Sequence, residues 1–73
     1  MTELESELLE ELAGMVANTC TIEDGGRMCL SARGSVTDFF ALELLERMGR
    51  VKRVRDGDDV TALFEWVQLK EEP

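Results

Sequence analysis

Hydrophobic and polar positions along the chain fall into four blocks. Leu4, Leu8, Leu9, Leu12, Met15 and Val16 recur at i, i+4, i+5, i+8, i+11 and i+12, the spacing of one helical face. Thr2 and Glu5 stand three apart, as in a capping box, and Asn18 with the β-prone Thr19-Cys20-Thr21-Ile22 closes the run. The spacing predicts a helix from about residue 3 to 17. The next block, Thr19 to Ser31, is broken by Glu23-Asp24-Gly25-Gly26 and reads as a hairpin around a Gly-Gly turn. A three-residue loop (24–26) sets Ile22 opposite Met28 and Cys20 opposite Leu30, gathering the apolar side chains on one face. A two- or four-residue loop sets Cys20 opposite Cys29 and turns Met28 and Leu30 away, because one residue of slip flips every side chain. The hydrophobic count favours the three-residue loop.

Ser35-Val36-Thr37-Asp38 supplies a hydroxyl cap and a first-turn acid. Val36, Phe39, Phe40, Leu42, Leu44, Leu45 and Met48 then form a wide apolar face, with Arg47 in the last turn and Gly49 just beyond it. A second helix is predicted over about 36 to 48. Arg50 to Arg55 and Val60 to Val67 flank Asp56-Gly57-Asp58-Asp59, a second hairpin with Val60, Ala62, Phe64 and Trp66 alternating. Gln68 to Pro73 reads as a frayed tail. The expected fold is a small α+β domain over 1–73, in the order helix, hairpin, helix, hairpin. Its expected core is Leu8, Leu12, Phe40, Leu44, Leu45, Val54 and Phe64, so that Leu44→Ala costs about 2–5 kcal/mol. Phe39 and Phe40 point about 100° apart. Phe40 is placed in the core and Phe39 at its rim, the other arrangement making Phe39 part of a contact surface or homodimer interface.

Composition narrows the chemistry. Seventy-three residues make one domain that hides only about 60% of its unfolded surface, hence a small core. With no His and no Tyr, the commonest general base and the commonest nitrogen metal ligand are missing. Cys20 and Cys29 have no CxxC spacing, which speaks against zinc and for buried free thiols in a reducing compartment, unless the strands align them for an opportunistic disulfide. Asp56, Asp58 and Asp59 suggest calcium until the ligand spacing is checked: Val60 and Val67 stand where oxygen ligands are required, so a turn is expected. Asp38 and Glu43 could in principle serve as carboxylate acids or bases, but nothing in the pattern places two carboxylates in an apolar pocket. The expectation is no enzyme, no cofactor and no metal. Glu3, Glu5 and Glu7 after Met1 are the opposite of a basic signal-peptide start, and the longest uncharged stretch, Leu12 to Ile22, is too short to span a bilayer. A cytoplasmic location is expected, that of the host cell if the protein is phage-encoded.

Charge is segregated. The formal net charge of −8 resolves into −7 over residues 1–26, +4 over 27–55 and −5 over 56–73. Arg47, Arg50, Lys52, Arg53 and Arg55 crowd into nine residues. Such a run either pairs with the acids of its own chain or stands free for a polyanion. The acids of the first helix, Glu3, Glu7, Glu10 and Glu11, either solvate the surface or imitate a phosphate array for a cationic groove on another protein.

The segment Leu42 to Val60, with a helix ending at Gly49 and the basic strand Arg50-Val51-Lys52-Arg53-Val54-Arg55 before Asp56-Gly57, resembles the helix and wing of winged-helix domains. It departs from them where bases are read, offering Val36, Thr37, Asp38, Phe39 and Phe40 in place of polar side chains, and it has no clear preceding helix. That resemblance implies DNA contact through a basic wing of Arg50, Lys52, Arg53 and Arg55. Taken whole, the chain resembles in style the short accessory proteins of tailed phages. The resemblance rests on Met1-Thr2-Glu3-Leu4-Glu5, Cys29-Leu30-Ser31-Ala32, Ala41-Leu42-Glu43-Leu44-Leu45-Glu46, Gly49-Arg50-Val51 and a Trp66-containing strand. Proteins of that kind include anti-CRISPR inhibitors and other counter-defence factors, which bind proteins, sometimes as nucleic-acid mimics. The expected function is therefore a small acidic inhibitor of a host or defence nucleic-acid machine. It would act by protein contact through Glu3, Glu7, Glu10 and Glu11, with Phe39 and Trp66 as aromatic contacts, no membrane and little direct nucleic-acid binding. The alternatives are a winged-helix regulator using its basic wing, and a structural subunit of a larger assembly.

Overall fold

Thr2 opens the first helix, α1 (Glu3–Cys20), in a computed structural model that describes residues 2–68. Its hydroxyl accepts the Glu5 N–H at 3.1 Å, and its own N–H donates to Glu5 Oε1 at 3.2 Å, completing the capping box. The helix runs three residues past the expected end at 17. The Thr19 and Thr21 hydroxyls donate to the carbonyls of Met15 and Ala17 one turn back, at 2.9 and 2.6 Å. Arg33 brings a guanidinium to the Thr19 carbonyl at 2.6 Å, supplying the cation that the last turn of α1 lacks. Cys20 is fully buried there. Packing and end closure outweigh the weak strand preference of Thr and Cys.

Strands β1 (Thr21–Asp24) and β2 (Arg27–Leu30) then pair around Gly25 and Gly26, both at positive φ (60° and 82°), as a tight two-residue hairpin requires. The register sets Ile22 opposite Cys29 and Glu23 opposite Met28. The favoured three-residue loop is thus overturned, and so is the pairing of Cys20 with Cys29. The hydrophobic count assumed that Cys20 had to reach the core from a strand, whereas it gets there as the last residue of α1. Met28 is left exposed.

Helix α2 (Val36–Arg47) starts at Ser35, whose Oγ accepts the Asp38 N–H at 3.2 Å. It leads through Gly49 (φ 77°) into β3 (Val51–Arg55), which pairs with β4 (Leu63–Trp66). The expected strand start at Val60 is displaced by three residues. Asp58 Oδ1 accepts the N–H groups of Val60 and Thr61 at 2.9 and 3.2 Å, and the Asp58 carbonyl accepts that of Ala62, winding the segment into a turn with Val60 exposed. Leu30 pairs with Phe64, fusing both hairpins into one antiparallel sheet of order β1-β2-β4-β3. The frayed tail expected from Gln68 lies, beyond that residue, outside the described residues.

The fold is therefore a small α+β domain of two helices on one four-stranded sheet. Its core joins Leu9, Val16 and Cys20 of α1 and Leu42 and Leu45 of α2 to Leu30, Val51 and Phe64 of the sheet. Strand alternation carries Cys29 and Leu63 to the opposite sheet face, where they are buried apart from this cluster beside the Arg27–Glu65 ion pair. Of the expected core, Leu45 and Phe64 are fully buried and Leu12 packs against the cluster. Leu8 (57% exposed), Phe40 (64%), Leu44 (49%) and Val54 lie outside it. The two phenylalanines exchange roles: Phe39 packs edge-on against Phe64, ring centroids 6.4 Å apart, and Phe40 faces solvent. In α1 the inward face of Leu9, Ala13, Val16 and Cys20 is rotated by roughly 80° from the middle of the leucine stripe, at 100° per residue. Only part of that stripe is needed for the core.

Candidate protein-binding surface

Two exposed features stand out on the helices, on different sides of α1. The first is an acidic row. Glu3, Glu7 and Glu11 repeat every fourth residue of α1, about 6 Å apart along its axis, and all three are exposed. Glu10, on the neighbouring ridge, accepts from Arg50 Nη2 at 3.1 Å. Among the described residues no cation stands within ion-pair distance of Glu3, Glu7 or Glu11. Of the four expected acidic contacts, three are thus unpaired and one also anchors the sheet. Glu5 lies round the helix from this row. Its carboxylate accepts the Thr2 N–H, and that hydrogen bond, with the Thr2 hydroxyl close by, holds it below its ordinary value.

The second feature was not anticipated as a site. Where α1 and α2 pack, they leave a cleft of about 390 Å³ lined by Leu8, Leu9, Leu12, Leu44, Met48 and Glu5. Leu4, one turn before Leu8, is also exposed, and a smaller hollow of about 280 Å³ lined by Phe40, Glu43, Leu44 and Arg47 shares Leu44 with the cleft. The signal was present in the pattern: both helices carry more large apolar residues than one small core can enclose. Solvent-facing leucines are ordinary one at a time, but a contiguous set lining a groove is a mark of contact surfaces.

The basic wing is largely taken up inside the molecule. Arg50 is paired with Glu10 as above, and Arg53 reaches Glu46 at 3.2 Å and Glu43 at 3.7 Å across to α2. The Arg53 guanidinium also lies over Phe64 and Phe39, 4.9 and 5.9 Å from the ring centroids. Arg55 donates from Nε to the Thr61 carbonyl at 3.3 Å, and Lys52 is exposed. Of the four bases expected to form one DNA-contacting surface, Arg50 and Arg53 are thus paired with acids of their own chain. Phe39, the expected aromatic contact, is partly buried against the core, and Phe40 is the exposed ring. Trp66 keeps a partly exposed ring at the end of β4.

Burial pushes the Cys20 thiol up, Asp38 adding to the effect against the Thr19 hydroxyl, so the thiol is held protonated, which opposes nucleophilic use. Glu43 is tied to Arg53. The Asp58 carboxylate is held below its ordinary value by the Val60 and Thr61 N–H groups, and serves the turn. Among the described residues no three Cys, Asp or Glu side chains converge where a metal could sit, and no helix is long and apolar enough to cross a membrane. The chain matches no family model, no curated protein and no solved structure.

Proposed function

We propose that the protein is a small non-enzymatic binding protein that inhibits a nucleic-acid-handling machine, of host or defence origin, by occupying its cationic surface with α1. One observation carries the proposal: Glu3, Glu7 and Glu11 form an exposed row with no cation of the described chain against it, although the chain spends Arg50 and Arg53 on other acids. An uncompensated row of one sign steers a basic partner toward it and disfavours acidic ones. Its charge density limits what it can imitate. A strand of duplex DNA advances about 3.4 Å per phosphate, against about 6 Å per carboxylate along α1. The row thus stands in for a short stretch of backbone, and the remaining affinity comes from apolar contact. This fits the counter-defence style implied by the sequence, in which blocking a groove suffices and no reaction is needed.

The test is inhibition of DNA binding across a panel of purified CRISPR effector complexes and nucleases. One target should lose DNA at stoichiometric inhibitor. The E3K/E7K/E11K variant should fail to inhibit it, and rising salt should relieve the block. Salt-sensitive retardation of duplex DNA by the protein alone would instead support a regulator working through Lys52 and Arg55.

A further inference from the structure

We propose that Asp56 and Gly57 form a self-modification site, at which the chain slowly converts Asp56 to isoaspartate. The Gly57 nitrogen attacks the carboxyl carbon of the Asp56 side chain. A C–N bond forms, and one carboxyl oxygen leaves as water with the carboxyl and amide protons. Water then reopens the cyclic imide at either carbonyl. One opening restores Asp56; the other leaves the backbone running through the side-chain carbonyl, with no change of mass or oxidation state. A following glycine favours ring closure, having no Cβ to bar the approach.

The chain has two Asp-Gly pairs, Asp24-Gly25 and Asp56-Gly57, and all four residues are exposed. The fold separates them. Asp24 belongs to β1 and pairs with Arg27, while Gly25 and Gly26 close the two-residue turn at positive φ. Ring closure there has to turn Asp24 out of its extended conformation and undo both the pair and the turn. Asp56 is under no such restraint. It follows β3, whose ladder is already irregular between Arg53 and Arg55, and with Gly57 it belongs to no helix or strand. Among the described residues no hydrogen bond takes up the Gly57 N–H or the Asp56 carboxylate. Beyond Gly57 the chain has no slack. A Cβ there would collide with the Thr61 hydroxyl, and Asp58 bonds fix the turn that follows. The extra backbone carbon of isoaspartate therefore pushes on the turn that leads into buried Ala62 and Leu63.

The test is incubation of the full chain for several weeks at neutral pH and body temperature. Cleavage after its two lysines, Lys52 and Lys70, then puts the Asp-Gly pairs on separate peptides, 1–52 and 53–70. Isoaspartate in each is counted by methyl transfer with an isoaspartyl methyltransferase, and the imide by the mass of one lost water. The 53–70 peptide should carry at least about fivefold more than 1–52, because only Asp56 is free to turn in the folded chain. Unfolding in guanidinium should level the two. D56E should abolish the product in 53–70, since the larger ring closes far more slowly, and D24E should leave it unchanged. The converted fraction should melt at least about 4 °C below the unconverted one. Equal or greater conversion in 1–52 of the folded protein overturns the proposal, as does no product in 53–70. So does a preference that persists in guanidinium, because the fold would then not be its cause. An unchanged melting point would overturn the effect on the turn.

Discussion

The guanidinium of Arg53 sits 4.9 Å from the centre of the Phe64 ring, covering the most deeply buried aromatic of the core with a charged plate. The same group reaches Glu43 and Glu46, so one side chain ties β3, β4 and α2 together. Replacing it should act on stability. Arg53→Ala should cost about 1–2 kcal/mol, from lost cation–π contact and lost packing of its stem. Arg53→Lys should recover only part, because an ammonium cannot lie flat on the ring. In a domain this small each kcal/mol moves Tm by roughly 4–8 °C, so thermal unfolding resolves the two variants.

Neighbouring leucines of α2 should behave oppositely. Leu45 is fully buried, and Leu45→Ala should cost about 2–5 kcal/mol, enough to threaten folding of a small domain. Leu44→Ala should cost under about 1 kcal/mol, since half of the side chain is already in water. Urea midpoints in one buffer make the comparison, and equal losses would contradict the orientation of α2.

Two glycines give a pair of opposite sign. Gly14 lies on an exposed side of α1 with open space where a Cβ would stand, so Gly14→Ala should stabilise by about 0.5–1 kcal/mol. At Gly57 an added Cβ would collide with the Thr61 hydroxyl and come within 2.8 Å of the Ala62 nitrogen. Gly57→Ala should destabilise by about 1–3 kcal/mol through displacement of the 58–62 turn. Calorimetric melting of both variants reads the signs directly.

How far the sequence goes depends on which residues carry the information. The capping box, the presence of two hairpins, the Ser35 cap and the Gly49 stop were legible because each is a local device with its own residue signature, whereas the loop of the first hairpin and the strand start of the second were misplaced. The fusion of the hairpins through Leu30 and Phe64 was not, since a long-range strand pair leaves no local trace. The inward sides of the helices were misjudged for a related reason. Periodicity finds the centre of the apolar stripe, while the core used its edge at Ala13 and Cys20 and left Leu8, Phe40 and Leu44 to the cleft. The acidic row was visible as composition; that Arg50 would take Glu10 and leave its neighbours free required the folded chain.

Acid should loosen two places first. The carboxyls of Glu5 and Asp58 are held below their ordinary values of 4.5 and 3.8 by N–H hydrogen bonds that form only in the folded chain. The unfolded chain then binds more protons at those sites, so their contribution is present above the ordinary values and is lost as pH falls through the lowered ones. Amide exchange near pH 3 should accelerate first at the start of α1 and at Val60 and Thr61. In alkali the sense reverses: the raised Cys20 thiol keeps its proton when folded, so stability should fall as pH climbs above about 9, and Cys20→Ala should flatten that limb.

The central claim is that the exposed carboxylates of α1 contact a basic protein surface, and affinity measured against the inhibited target at two salt concentrations tests it most directly. Wild-type Kd should rise on the order of tenfold between about 50 and 200 mM salt. E3K/E7K/E11K should bind undetectably while melting within about 3 °C of wild type, as exposed charges contribute little to folding. Binding that survives the triple reversal and ignores salt would contradict the account and move the contact away from α1.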